Sequence, residues 1–112
     1  MDKRQEFVSA LEGVDGVTAY AIRPATYTEP GTAWYVQDSL VRDKDSGQFE
    51  NTVKLAVFLH QDEEKAAQWF SDHWELIVEA LDGPFYVDKV DLVNLGDSNT
   101  AQFTMQITAR SE

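Results

Sequence analysis

The chain contains no cysteine. A disulfide framework, a thiolate nucleophile and a thiolate zinc site are therefore excluded. Histidine is scarce too, with His60 and His73 the only two. No stretch is long or apolar enough to cross a bilayer, and the start, Met1-Asp2-Lys3-Arg4-Gln5-Glu6, lacks the apolar core of a signal peptide. These absences predict a soluble intracellular protein without a membrane partner. Basic residues number 9 against 20 acidic ones, a formal net charge of -11. Such a chain lacks the basic surface that neutralises phosphates, which argues against nucleic-acid binding. Only 3 prolines and 6 glycines interrupt it, and no repeat, linker or low-complexity tract is visible.

What is present fits one domain over residues 1–112, with a hydrophobic fraction of 43%. Asp2 and Gln5 form a capping-box pattern, and Phe7, Val8 and Leu11 follow at helical spacing. Gly13 and Gly16 open a turn, and Val17 to Ile22 reads as a short strand. A loop with Pro24 and Pro30 leads to a strand from Ala33 to Val41. The polar turn Asp43-Lys44-Asp45-Ser46-Gly47 predicts a hairpin. In the returning strand Phe49, Val53, Leu55, Val57 and Leu59 take odd positions, the alternation of a half-buried strand. Asp62 caps a second helix whose expected buried stripe is Ala66, Phe70, Trp74, Ile77 and Leu81, and Gly83-Pro84 stops it. Phe85 to Leu95, a turn at Gly96-Asp97-Ser98-Asn99, and an alternating strand from Ala101 to Ala109 complete a second hairpin. The expected class is α+β: a single, mostly antiparallel sheet of about five strands with two helices on one face.

The chemistry of an enzyme is not apparent. His60 lies near Asp62, Glu63 and Glu64, but their spacing matches no zinc motif, and carboxylates are favoured in a first helical turn. The stretch from Asp43 to Gly47 is like the start of a calcium loop with its glycine one place early and strands on either side. There is no glycine-rich phosphate loop and no nucleophile elbow. The expectation is a non-enzymatic protein without metal or cofactor, whose role is to bind other proteins.

Two stretches carry a family likeness. Ala21-Ile22-Arg23-Pro24, followed by Pro30-Gly31-Thr32-Ala33-Trp34, is one. Val53-Lys54-Leu55-Ala56-Val57-Phe58-Leu59, running into the helix that bears Trp69, is the other. With the order of elements, they make the chain resemble, over nearly its whole length, the tail terminator (minor tail or tail-completion) proteins of long-tailed bacteriophages. The resemblance implies a homo-oligomeric ring, usually of six subunits, that caps the tail tube and stops its polymerisation. It implies the tail tube protein and a head-completion or connector protein as partners, assembly in the host cytoplasm, and residence at the head-proximal end of the virion tail. DNA would pass through the ring without specific binding.

Interface candidates on this reading are Arg23 and Trp34 around the proline loop and Lys44, Asp45, Ser46 and Gln48 at the hairpin tip. Gln102, Thr104 and Gln106 join them from the uncharged polar face of the last strand. Trp34 is equally open to being core. Asp43, Asp45, Asp62, Glu63 and Asp97 are candidates for an acidic lumen that repels DNA. Competing readings are another phage head–tail joining or tail tube protein, an acidic inhibitor that mimics DNA, and a small enzyme or ligand-binding domain with a cleft between sheet and helices.

Overall fold

A computed structural model describes residues 2–97 and 99–111; Ser98 of the expected second turn lies outside them. Helix α1 spans Lys3–Leu11, and the Asp2 carboxylate caps it by accepting from the Gln5 N–H at 2.9 Å. Strands β1 (Thr18–Tyr20), β2 (Thr32–Arg42) and β3 (Phe49–His60) follow. Helix α2 runs Glu63–Leu81, with Asp62 accepting from the Lys65 N–H at 3.0 Å. Strands β4 (Phe85–Asn94) and β5 (Phe103–Ser111) close the chain.

The five strands form one sheet in the order β1-β2-β3-β5-β4. It is antiparallel except for β1, which pairs parallel with the first three residues of β2. Pairing of Val53, Leu55 and Val57 with Ala109, Ile107 and Met105 turns these six side chains to one face. There they meet Phe7 and Leu11 of α1 and Ala66, Ile77 and Leu81 of α2 in the main core. Full burial of each large apolar side chain contributes roughly 1.5–3 kcal/mol. This face is the expected one, and both helices lie on it.

The α2 stripe is rotated from the expected one. Trp69, Phe70 and Ala80 pack against the core, whereas Trp74 is 38% exposed. A 19-residue helix places Trp74 at the margin once Ala66, Ile77 and Leu81 point inward. Leu76 is exposed on the other margin.

A parallel β1–β2 pair needs a crossover, and residues 21–31 supply it without a helix. They cross the sheet face opposite the helices. Tyr27 lands there on Trp34 and Phe58, with ring centroids 4.9 and 5.2 Å away. Trp34, Ala56 and Phe58 thereby form a second, smaller core. The rest of that face carries Thr52, Lys54, Gln106 and Thr108 and has no layer over it among the described residues, as antiparallel sheets permit.

Candidate interaction surface

Beyond the body of the sheet, β2 and β3 continue as a two-stranded arm. On the outer side, β1 covers only Thr32, Ala33 and Trp34 of β2. On the inner side, β5 pairs with β3 as far as Asn51, so that among the described residues Phe49 and Glu50 have no second strand beside them. Every residue from Val36 to Glu50 is exposed. Leu40 is 67% and Phe49 59% exposed, so alternation that is genuine in β3 ends in solvent. The expectation that Phe49 is core is corrected: its strand has outrun the helices that would have covered it.

The turn at the tip is built by Asp43. Its carboxylate accepts from the Asp45 N–H at 2.9 Å and the Ser46 hydroxyl at 3.2 Å. Its carbonyl accepts from the Gly47 N–H at 2.8 Å, and its own N–H donates to the Gln48 carbonyl at 2.7 Å. Gly47 takes φ +73, which only glycine adopts without strain. The Lys44, Asp45, Ser46 and Gln48 side chains are exposed around this turn.

At the base of the arm lies an open groove of about 770 Å³. Leu40, Phe49 and Asn51 form one wall, and Pro84, Tyr86 and Ser111 contribute to the other. Asn51 donates from Nδ2 to the Ser111 hydroxyl at 3.0 Å, while its buried Oδ1 has no hydrogen-bond partner among the described residues. Arg110 fixes the far rim. Its Nε donates to Asp88 at 3.0 Å, one of its terminal nitrogens reaches Glu50 at 3.3 Å, and its guanidinium lies 4.5 Å from the Tyr86 ring centroid. These two carboxylates hold Arg110 above its ordinary pKa. Tyr86 is 61% exposed.

The fold brings several sequence-derived candidates together and separates others. Arg23 donates to the Tyr27 hydroxyl at 3.1 Å, and that hydroxyl donates to Gln102 Oε1 at 3.1 Å. The Arg23 guanidinium also lies 5.6 Å from the Trp34 ring centroid. Arg23, Trp34, Gln102 and Thr104 thus belong to one cluster on the open sheet face. Within it Trp34 is only 4% exposed and Thr104 is fully buried. The chain covers both itself, which corrects their placing as direct contact residues: Trp34 is core, and Thr104 spends its hydroxyl on the Gln102 carbonyl at 3.0 Å. Gln106 is half-buried and faces the uncovered part of the sheet.

The five lumen candidates fall at opposite ends of the molecule. Asp43 and Asp45 sit at the arm tip. Asp62 and Glu63 start α2 beyond the other end of β3, where the β4–β5 turn also places Asp97. The N–H groups of Thr100 and Asn99 hold the Asp97 carboxyl below its usual range. His60 is engaged at that end as well, its Nδ1 accepting from the Asp62 N–H at 2.9 Å.

The largest acidic array lies elsewhere. Glu64, Asp72, Glu75, Glu79 and Asp82 are exposed along the solvent side of α2, three to eight residues apart, with Lys65 the single lysine or arginine in that helix. Their helical spacing is legible in the sequence once carboxylates are tested for periodicity rather than counted. Tyr27 and the groove rim had no comparable local signal. No protein-family model matches the chain, and no curated protein matches it.

Proposed function

We propose that this protein is a structural assembly component that works as a closed ring, in the manner of a phage tail terminator. In that role the ring caps the finished tail tube, stops its polymerisation and offers its other side to the head connector. The arm is the observation that carries the reading. It projects Leu40, Val41 and Phe49 into solvent beside a polar, self-bonded tip. Exposed apolar groups gathered on a protrusion mark a surface for another protein. A ring requires head-to-tail contacts whose rotation closes, and six subunits is the number the family likeness implies. The tail tube protein is the partner for one side and a head-completion protein for the other. The place of action is the head-proximal end of the tail.

The test is light scattering coupled to size exclusion across concentration, followed by electron microscopy with purified tail tubes. Closed rings, free or seated on tube ends, are the expected result. A monomer at every concentration that also leaves tube length unchanged rules the reading out.

The α2 array favours a second reading, an inhibitor that mimics DNA. From Asp72 to Asp82 the carboxylates recur every three or four residues, about 4.5–6 Å along the helix, and present a line of negative charge such as a phosphate backbone offers. Competition with duplex DNA for a basic DNA-binding protein, lost when Glu75 and Glu79 become glutamine, distinguishes this reading from the ring.

A further inference from the structure

The outer edge of β2 is open where β4, the other edge strand, is guarded. Among the described residues no strand pairs with that edge past Trp34, and the last outward group with a partner is the Tyr35 carbonyl, which accepts from Arg4 at 3.3 Å. After the irregularity at Val36, residues Gln37 to Arg42 run in unbroken register with β3. Unpaired N–H and C=O groups therefore alternate along a regular strand. Natural edges are commonly protected by bulges and charges. Strand β4 has both, with its register shift between Val87 and Lys89 and with Asp88, Lys89 and Asp91 in its middle. The open stretch of β2 has two charges, Asp38 and Arg42, and between them the exposed Leu40 and Val41.

We infer that this edge pairs antiparallel with the same edge of a second copy, about a two-fold axis through Leu40. The charges select both occupant and register. Asp38 and Arg42 lie on the same face, since their β3 partners are Val53 and Phe49. Antiparallel pairing about Leu40 sets Asp38 of each copy opposite Arg42 of the other, and Leu40 against Leu40. Opposite charges directly across a strand pair stabilise it, and a shift of one residue loses both pairs, setting Asp38 opposite Val41 or the like-charged Asp43 and Arg42 opposite Gln37 or Ser39. The contact is isologous and closes as a pair. It is thus distinct from the head-to-tail contacts of a ring and does not rest on them; with a ring, it joins two rings through their arms. Its area is at the small end of specific interfaces, so the pair forms at high protein concentration.

The absence of native cysteine makes the test direct. Paired residues on the axis sit about 4.5–5.5 Å apart between Cα atoms, within disulfide reach. Under mild oxidation L40C is expected to form covalent dimer at least about tenfold faster than S71C on the exposed side of α2, given that proximity. In the L40C background D38R and R42D each slow cross-linking, and the D38R/R42D pair restores it. Circular dichroism verifies that each variant is folded, and R42D alone suffices if D38R is not. Equal cross-linking of L40C and S71C overturns the pairing. Failure of the double reversal to restore the rate overturns the register. Rings that assemble while L40C stays monomeric in the cross-link leave the ring reading intact and remove this one.

Discussion

A methyl group placed on Gly31 would overlap the carbonyl oxygen of Gly16, because the turn after α1 and the start of β2 meet at those two backbones. Gly31 also takes φ +91. Its N–H donates to the Phe58 carbonyl at 2.7 Å, and its carbonyl accepts from the Thr18 N–H at 3.0 Å, tying β1, β2 and β3 at one point. Above this junction Trp69 and His73 stack, with ring centroids 3.9 Å apart. Gly31→Ala is therefore expected to cost at least about 2 kcal/mol and to lower the Tm by roughly 8 °C or more. Gly13, with open space around it, is the control. Thermal melts in which the two alanine variants match would show that the junction relaxes.

Tyr27 is the lid of the second core. Truncation to alanine opens Trp34 and Phe58 to water and is expected to cost about 2–4 kcal/mol. Tyr27→Phe keeps the ring, loses the hydroxyl that links Arg23 to Gln102, and is expected to cost about 1 kcal/mol. Tryptophan emission reads the difference. It should shift to the red in Tyr27→Ala and stay in place in Tyr27→Phe. An unshifted alanine variant would mean that other groups close over Trp34.

Tyr35 links stability to alkaline pH. Burial, and then its hydrogen bond to Asp38, hold the phenol neutral to well above the ordinary tyrosine range. The unfolded chain releases that proton from about pH 10. The unfolded state then binds fewer protons than the native one, so stability falls as pH rises past that value. Below it the contribution is complete and independent of pH. Ultraviolet titration should show a tyrosine that ionises only on unfolding, and Tyr35→Phe should remove it. Tyr35→Phe should flatten the decline in denaturant midpoint above pH 10; an unchanged slope would assign it to other groups.

Shortening the arm separates folding from assembly. Replacing residues 43–48 with a two-residue Asn-Gly turn removes only exposed side chains and hydrogen bonds internal to the tip. Stability should change by less than about 1 kcal/mol. Under the proposed ring function, capping of tail tubes should be lost. Tubes that end at normal length with the shortened protein would take the tip out of the docking surface.

Much of the local structure was written in the sequence. Asp2 and Asp62 cap their helices as the capping patterns require. The odd positions from Val53 to Leu59 and from Met105 to Ala109 face one core, and Asp43 to Gly47 makes the turn. These features depend on side chains a few residues apart, which is the range of periodicity and capping. Tertiary structure decided what lies over each strand and how far that cover reaches. Phe49 continues the alternation of Val53 and Leu55, yet the sheet has passed the helices by then, so the same pattern that buries one exposes the other. Trp34 became core because residues 21–31 cross the opposite face and set Tyr27 on it. The placement of β5 between β3 and β4, which leaves β2 and β4 as long edges, is likewise a relation between distant segments. Burial depends on neighbours brought together from across the chain, and no local spacing of residues encodes them.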